Sequence, residues 1–148
     1  MDEINSARHY LKWVISEEQP ERIAFVGPSR NEDNCHVINY AKRFCKVVHV
    51  YDRDPRLGMD TWDKQGVDFT YCTADVIFEK CDLSKYDLIV VLSQEKMFPV
   101  PKRHKGNYIL LFGLKPNNGN CTTDWNDCGI EIEENYVFKK HRVIVGST

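Results

Sequence analysis

The chain lacks any apolar run near the ~18 residues that a membrane-crossing helix needs. It also lacks a basic excess: 20 Lys and Arg stand against 22 Asp and Glu, a formal charge of −2. That balance withholds the broad positive field by which proteins hold nucleic acid. There is no CxxC pair, and His36, His49, His104 and His141 do not fall at zinc-ligand spacings, so no metal is expected. The six cysteines are scattered at 35, 45, 72, 81, 121 and 128. They read as reduced thiols, with Cys35, Cys45 and Cys72 in or beside core elements. The first residues, MDEINSARHY, are acidic and polar rather than signal-like. No repeat, low-complexity tract or linker breaks the 148 residues, which read as a single cytoplasmic domain, 1–148.

What is present is a βαβ pattern between Arg22 and Asp54. The apolar run Ile23 to Val26 stops at Gly27 and Pro28, and a polar loop, Ser29 to Asn34, follows. A helix-like segment then carries Val37, Ile38, Ala41, Phe44 and Cys45 on one side, and a second apolar run, Val47 to Tyr51, ends on Asp52. Continuous apolar strands joined through a helix are parallel and covered on both faces. The Gly27 loop and Asp52 then share the carboxyl edge of the sheet, where open α/β folds bind ligands.

Residues 2–17 read as an amphipathic helix through Ile4, Ala7, Leu11 and Val14, stopped by Pro20. Beyond Asp54 a short helix is expected around Leu57, Met59 and Trp62, then a third strand at Val67, Phe69 and Tyr71 running towards Asp75. Tyr86 to Leu92 is the most apolar strand, and Asn107 to Leu114 the fifth. Residues 129–138 and 141–146 read as a closing antiparallel pair.

Asp52, Asp75 and the cluster Ser93 to Glu95 thus follow three successive strands. Each alone reads equally well as a strand terminator. Together they suit an adenosine group: an acid after the second strand accepts from ribose hydroxyls, and one after the third accepts from an exocyclic amine. The loop GPSRNEDN has one glycine, Pro28 has no amide hydrogen, and Glu32 and Asp33 repel phosphate. A phosphate-free ligand such as S-adenosylmethionine fits better than a dinucleotide, with Arg30 or a loop amide placed for its carboxylate.

The series IAFVGPS, VVHVYDRDP, FTYCTADV and YDLIVVLS resembles motifs I to IV of the class I S-adenosylmethionine-dependent methyltransferases. The resemblance covers roughly residues 21–114, and KHRVIVG is similar to that family's final hairpin strand. It implies a three-layer Rossmann-like α/β fold with a mostly parallel seven-stranded sheet, order 3-2-1-4-5-7-6, strand 7 antiparallel. It implies a cofactor site made from Phe25, Gly27, Pro28, Ser29 and Arg30, from Tyr51, Asp52 and Arg53, from Ala74, Asp75 and Val76, and from Leu92 and Ser93. In it Gly27 passes the methionyl part, Asp52 holds the ribose, Asp75 and Val76 flank the adenine, and Ser93 faces the reactive side. The family's E/D-x-G-x-G-x-G loop is reduced here to FVGPSRN. A weaker resemblance, through FTYCTADVIFEKCDLSKYDLIVVL, is to the nicotianamine synthases, which transfer an aminocarboxypropyl group from the same cofactor.

Catalytic candidates are Ser93 and Glu95, the latter as a base if the acceptor carries a proton; Glu95 reads otherwise as a helix-start residue. The segment is not the D/N-P-P-Y/F of amino-directed nucleic-acid methyltransferases. The basic run Lys102 to Lys105 is expected on the substrate side, as a solvated loop or a contact for an acidic substrate. Asp124, Trp125 and Asp127 make either an acceptor lid or a surface cover. The leading reading is a small methyltransferase for a small-molecule or partner-presented acceptor, completed by a partner or a homo-oligomer. A non-catalytic binding module and an aminocarboxypropyl transferase are the alternatives.

Overall fold

A computed structural model of the chain describes residues 3–28, 31–53, 66–72, 76–113, 125–138 and 140–148. The side chains at 3–6, 32 and 125 lie outside that description. So do the expected helix around Trp62, the acid Asp75, and Asp124 with the Trp125 ring. Helix α1 (Glu3–Glu18) leads into β1 (Arg22–Val26), α2 (Glu32–Ala41) and β2 (Val47–Asp52). Then come β3 (Val67–Tyr71), a single turn α3 (Ile77–Lys80), β4 (Leu88–Val91) and a 3₁₀ turn, Gln94–Lys96. Strand β5 (Asn107–Gly113), a 3₁₀ turn at Trp125–Asp127, β6 (Glu131–Val137) and β7 (His141–Ser147) complete it. Among the described residues no helix is long and apolar enough to cross a membrane.

The strands form one sheet in the order β3-β2-β1-β4-β5-β7-β6. Strands β1 to β5 pair in parallel, and β7 runs antiparallel to both β5 and β6. The expected fold is therefore the observed one. Its parallel strands are apolar on both sides because side chains alternate between two cores. Ile23, Phe25, Val48, Val50, Leu88 and Val90 face Ala7, Leu11 and Ile15 of α1 and Val37, Ile38 and Ala41 of α2. Ala24, Val26, Tyr51, Ile89, Val91 and Leu110 face the opposite layer of Ile77, Phe78, Leu83, Met97 and Val100.

Three local features aim the chain at the carboxyl edge. Helix α1 ends where Gln19 turns to φ 42° ahead of Pro20, so its amino half reaches back toward the strand tips. Helix α2 is started by Asn31, whose side chain accepts from the Asn34 amide. It ends at Ala41 rather than Cys45, because Arg43 and Phe44 bond three residues back and tighten the chain into a turn. Strand β4 begins at Leu88, two residues later than its apolar run, since Tyr86 is taken into a turn by its amide bond to the Leu83 carbonyl.

The basic run is not on the substrate side. Gly106 and Thr148 exchange hydrogen bonds, and the His104 carbonyl accepts from Tyr108 and Thr148. Because β7 is antiparallel to β5, Thr148 lies at the amino edge of the parallel strands. The segment following β4 has crossed the whole sheet by residue 102, as a parallel β4–β5 connection must.

Candidate functional site

A crevice of about 510 Å³, part of it open to solvent, lies at the carboxyl ends of β1, β2 and β4. Val26, Gly27 and Tyr51 form one side with Asp52 and Arg53, and Cys72 and Ile77 form another. Ser93, Lys96 and Met97 complete it. Its position follows from topology: β1 lies between β2 and β4, and the connections from β1 and β4 leave in opposite directions.

At the floor, the Gly27 amide donates to the Tyr51 carbonyl at 2.8 Å, tying the β1 tip to β2. Gly27 holds φ 69°, a left-handed conformation that a side chain disfavours. A Cβ there would have room, its nearest neighbour being Ser93 Cβ at 4.0 Å, so the glycine is required by backbone conformation and not by crowding. Ser93 Oγ donates to the Gly27 carbonyl at 3.2 Å and links the tip of β4 to the same turn. Asp52 is only 5% exposed although it ends its strand, and it is one of the residues lining the crevice.

The turn after Gly27 is held from below by a buried polar cluster. The guanidinium of Arg8, 5% exposed, donates from Nε and Nη2 to Asn34 Oδ1 at 3.0 and 2.8 Å. Asn34 Nδ2 in turn donates to the Pro28 carbonyl at 2.9 Å. Arg8 Nη1 lies 3.3 Å from His141 Nε2. Burial and the Arg8 charge lower the His141 pKa to about 4, so the ring is neutral and its Nε2 accepts.

Under Tyr51 lies a second network. The Tyr51 and Tyr86 hydroxyls share a hydrogen bond of 2.8 Å, Tyr86 OH lies 2.7 Å from His49 Nδ1, and His49 Nε2 lies 2.7 Å from Thr70 Oγ1. The His49 and Tyr51 rings stack at 4.2 Å. Burial raises the pKa of Tyr51 and of Tyr86 and lowers that of His49, so all three stay neutral near pH 7.

The turn at Gly27 and Pro28 offers no free amide to a phosphate. Pro28 has no amide hydrogen, the Gly27 amide is used by Tyr51, and the third and fourth amides of α2, Asn34 and Cys35, are used by Asn31. A phosphate at a helix start needs such amides free.

Of the expected site residues, the structure brings Gly27, Tyr51, Asp52, Arg53 and Ser93 into one crevice. Ser29, Arg30, Ala74 and Asp75 lie outside the described residues. Others are not among the residues lining the crevice. Phe25 is fully buried against the α1 and α2 layer, because its neighbour Val26 takes the crevice side. Leu92 is buried in that same core, Val76 packs on the opposite one, and Pro28 contributes its carbonyl to Asn34. Glu95 stands outside the crevice lining: its Oε2 accepts from the Gly113 amide at 3.0 Å, joining the tips of β4 and β5. Cys72, Ile77 and Met97 also line the crevice, although the sequence marks only Cys72 as near the core and leaves the other two in connecting segments. The Arg8–Asn34–Pro28 chain joins residues 26 positions apart and leaves no local signal.

No protein-family profile matches the chain, and no curated protein is significantly similar to it in sequence. Solved structures are similar in fold. An O-methyltransferase family protein from Burkholderia thailandensis superposes with a TM-score of 0.59 at 10% identity, covering 97% of this chain and 55% of that one. The O-methyltransferase TomG from Streptomyces achromogenes, solved with SAM, gives 0.58 at 8% identity, covering 97% and 80%. An O-methyltransferase from Bacillus cereus, solved with SAH, gives 0.52 at 9%, covering 97% and 81%. The chain thus spans about half the length of the first of these and about four-fifths of the other two. The architecture is the Rossmann-like methyltransferase fold.

Proposed function

We propose that the chain is an S-adenosylmethionine-dependent transferase, a methyltransferase acting on a small-molecule or partner-presented acceptor. One observation carries the reading: a buried acidic residue, Asp52, lines one crevice with the left-handed turn at Gly27, where the Gly27 amide is taken by Tyr51 and Pro28 has none. That combination suits an adenosyl group without phosphates. Similarity of fold to methyltransferases solved with SAM or SAH supports it.

In this reading Asp52 accepts hydrogen bonds from the ribose hydroxyls, and Gly27 lets the backbone pass close to the methionyl part. Tyr51 and Ile77 supply apolar wall; by the resemblance Asp75 and Val76 would flank the adenine, and Arg30 or a loop amide would meet the carboxylate. The bound cofactor would supply an electrophilic methyl group. Transfer then needs alignment above all, and a base where the acceptor carries a proton. Ser93 stands in the crevice beside the Gly27 turn. Glu95 is fixed through one carboxylate oxygen by Gly113, which leaves Oε1 to take an acceptor's proton.

The second reading, a binding module without catalysis, draws on the same residue, since Glu95 stands outside the crevice lining. Calorimetric titration with S-adenosylmethionine, S-adenosylhomocysteine and NAD should rank both sulfur ligands above the dinucleotide; NAD binding best would overturn the assignment. Product analysis with labelled cofactor separates methyl from aminocarboxypropyl transfer, and transfer to no acceptor class favours the module.

A further inference from the structure

Two cysteines distant from each other in the chain's local pattern meet at the crevice. Cys72 follows the last residue of β3 and lines the crevice wall. Cys81 caps the end of α3 and packs against the same apolar core. The Cys81 thiol donates to the Cys72 sulfur with the Sγ atoms 3.4 Å apart, across nine positions of chain. A disulfide needs about 2.05 Å between sulfurs, so roughly 1.4 Å of approach separates contact from bond. Cys72 is buried and Cys81 half-buried, so an entering oxidant meets Cys81 first. Cys45 offers the contrast: burial and Asp87 push its thiol up to about 11, which makes it a poor nucleophile.

We propose that Cys72 and Cys81 are a modification site, a dithiol that closes to a disulfide by exchange with a small-molecule disulfide of the glutathione class, and that closure alters the crevice. The thiolate of Cys81 attacks one sulfur of the small disulfide, whose S–S bond breaks and releases one thiolate. The Cys72 sulfur then attacks Cys81 Sγ, giving up its proton, and the second small thiolate leaves. Two protein thiols are oxidised, one small disulfide is reduced to two thiols, and the protein's two protons end on them. The new bond ties the end of β3 to the end of α3 and moves Cys72 itself, a wall atom, together with the turn that carries Ile77. The effect on ligand binding rests on the transferase reading; the bond itself does not.

The test is equilibration of the full chain with mixtures of oxidised and reduced glutathione, followed by alkylation and peptide mapping. The expected product joins the peptides of Cys72 and Cys81 and is lighter by two hydrogens. Cys81→Ser should abolish it, and Cys72→Ser should trap a glutathione adduct on Cys81. No such link at any mixture, or preferential linkage of either residue to another cysteine, overturns the site. Titration of the two redox forms with S-adenosylhomocysteine should show a Kd differing by about tenfold, restored by dithiothreitol and absent in Cys81→Ser. Equal Kd values overturn the coupling. A chain that forms the link yet binds no S-adenosyl ligand in either state overturns the transferase reading and the coupling with it, and leaves the modification site standing.

Discussion

The hydroxyl of Ser93 donates to the carbonyl of Gly27 at 3.2 Å, a side-chain bond between the tips of β4 and β1 beyond the backbone bond from the Leu92 amide to the Val26 carbonyl at 2.8 Å. Because Gly27 also holds φ 69° while leaving room for a Cβ, its cost on substitution is conformational. Gly27→Ala should destabilise the fold by about 1–2 kcal/mol, and Ser93→Ala by about 0.5–1.5 kcal/mol. Urea unfolding of both variants and of the double variant checks this. The double variant should fall short of the sum, since both changes act on one turn.

Asn34 receives the Arg8 guanidinium and passes the hold on to Pro28. Removing its side chain leaves a buried cation short of an acceptor and the Pro28 carbonyl short of a donor. Asn34→Ala should therefore cost about 1–3 kcal/mol, measured by urea unfolding, and should weaken S-adenosyl ligand binding through the loosened turn. Asn34→Asp keeps an acceptor for Arg8 but loses the donor to Pro28, so it should retain more stability than ligand affinity.

His141 supplies a pH dependence with a definite sign. Its folded pKa, about 4, lies below the ordinary value of 6.5, chiefly through burial and then through Arg8. Between those values the unfolded chain binds a proton that the folded chain does not, so stability rises with pH. The contribution is complete above about pH 6.5, and it is lost as the pH falls from there to about 4. His49, also lowered by burial, acts in the same direction. Unfolding midpoints measured across this window should fall with acidification, and His141→Gln should flatten the slope.

The topology was legible in the sequence because its signals are local. Apolar runs at Ile23, Val47 and Tyr86, each broken by a polar or glycine residue, mark buried parallel strands, and handedness fixes much of the remaining order. The strand-end position of Asp52 was legible because the apolar run from Val47 to Tyr51 stops there. Phe25 is expected at the site because a motif names consecutive residues, whereas a strand sends alternate ones to opposite faces, and Phe25 packs in the core under α1 and α2. The basic run misled for a different reason: no sequence signal says how soon a helix-poor connection crosses the sheet. Arg8 with Asn34, and Cys72 with Cys81, were silent because each pair is made by the fold, not by spacing.

The central claim, that Asp52 grips the sugar of a phosphate-free adenosyl ligand, is tested most directly by titrating S-adenosylhomocysteine into the parent chain and Asp52→Asn. The variant keeps the shape of the side chain and loses its charge. The account predicts measurable binding to the parent and a loss of about tenfold to a hundredfold in the variant, with the unfolding midpoint little changed. Equal affinities for the two proteins, or no binding by a folded parent chain, would contradict it.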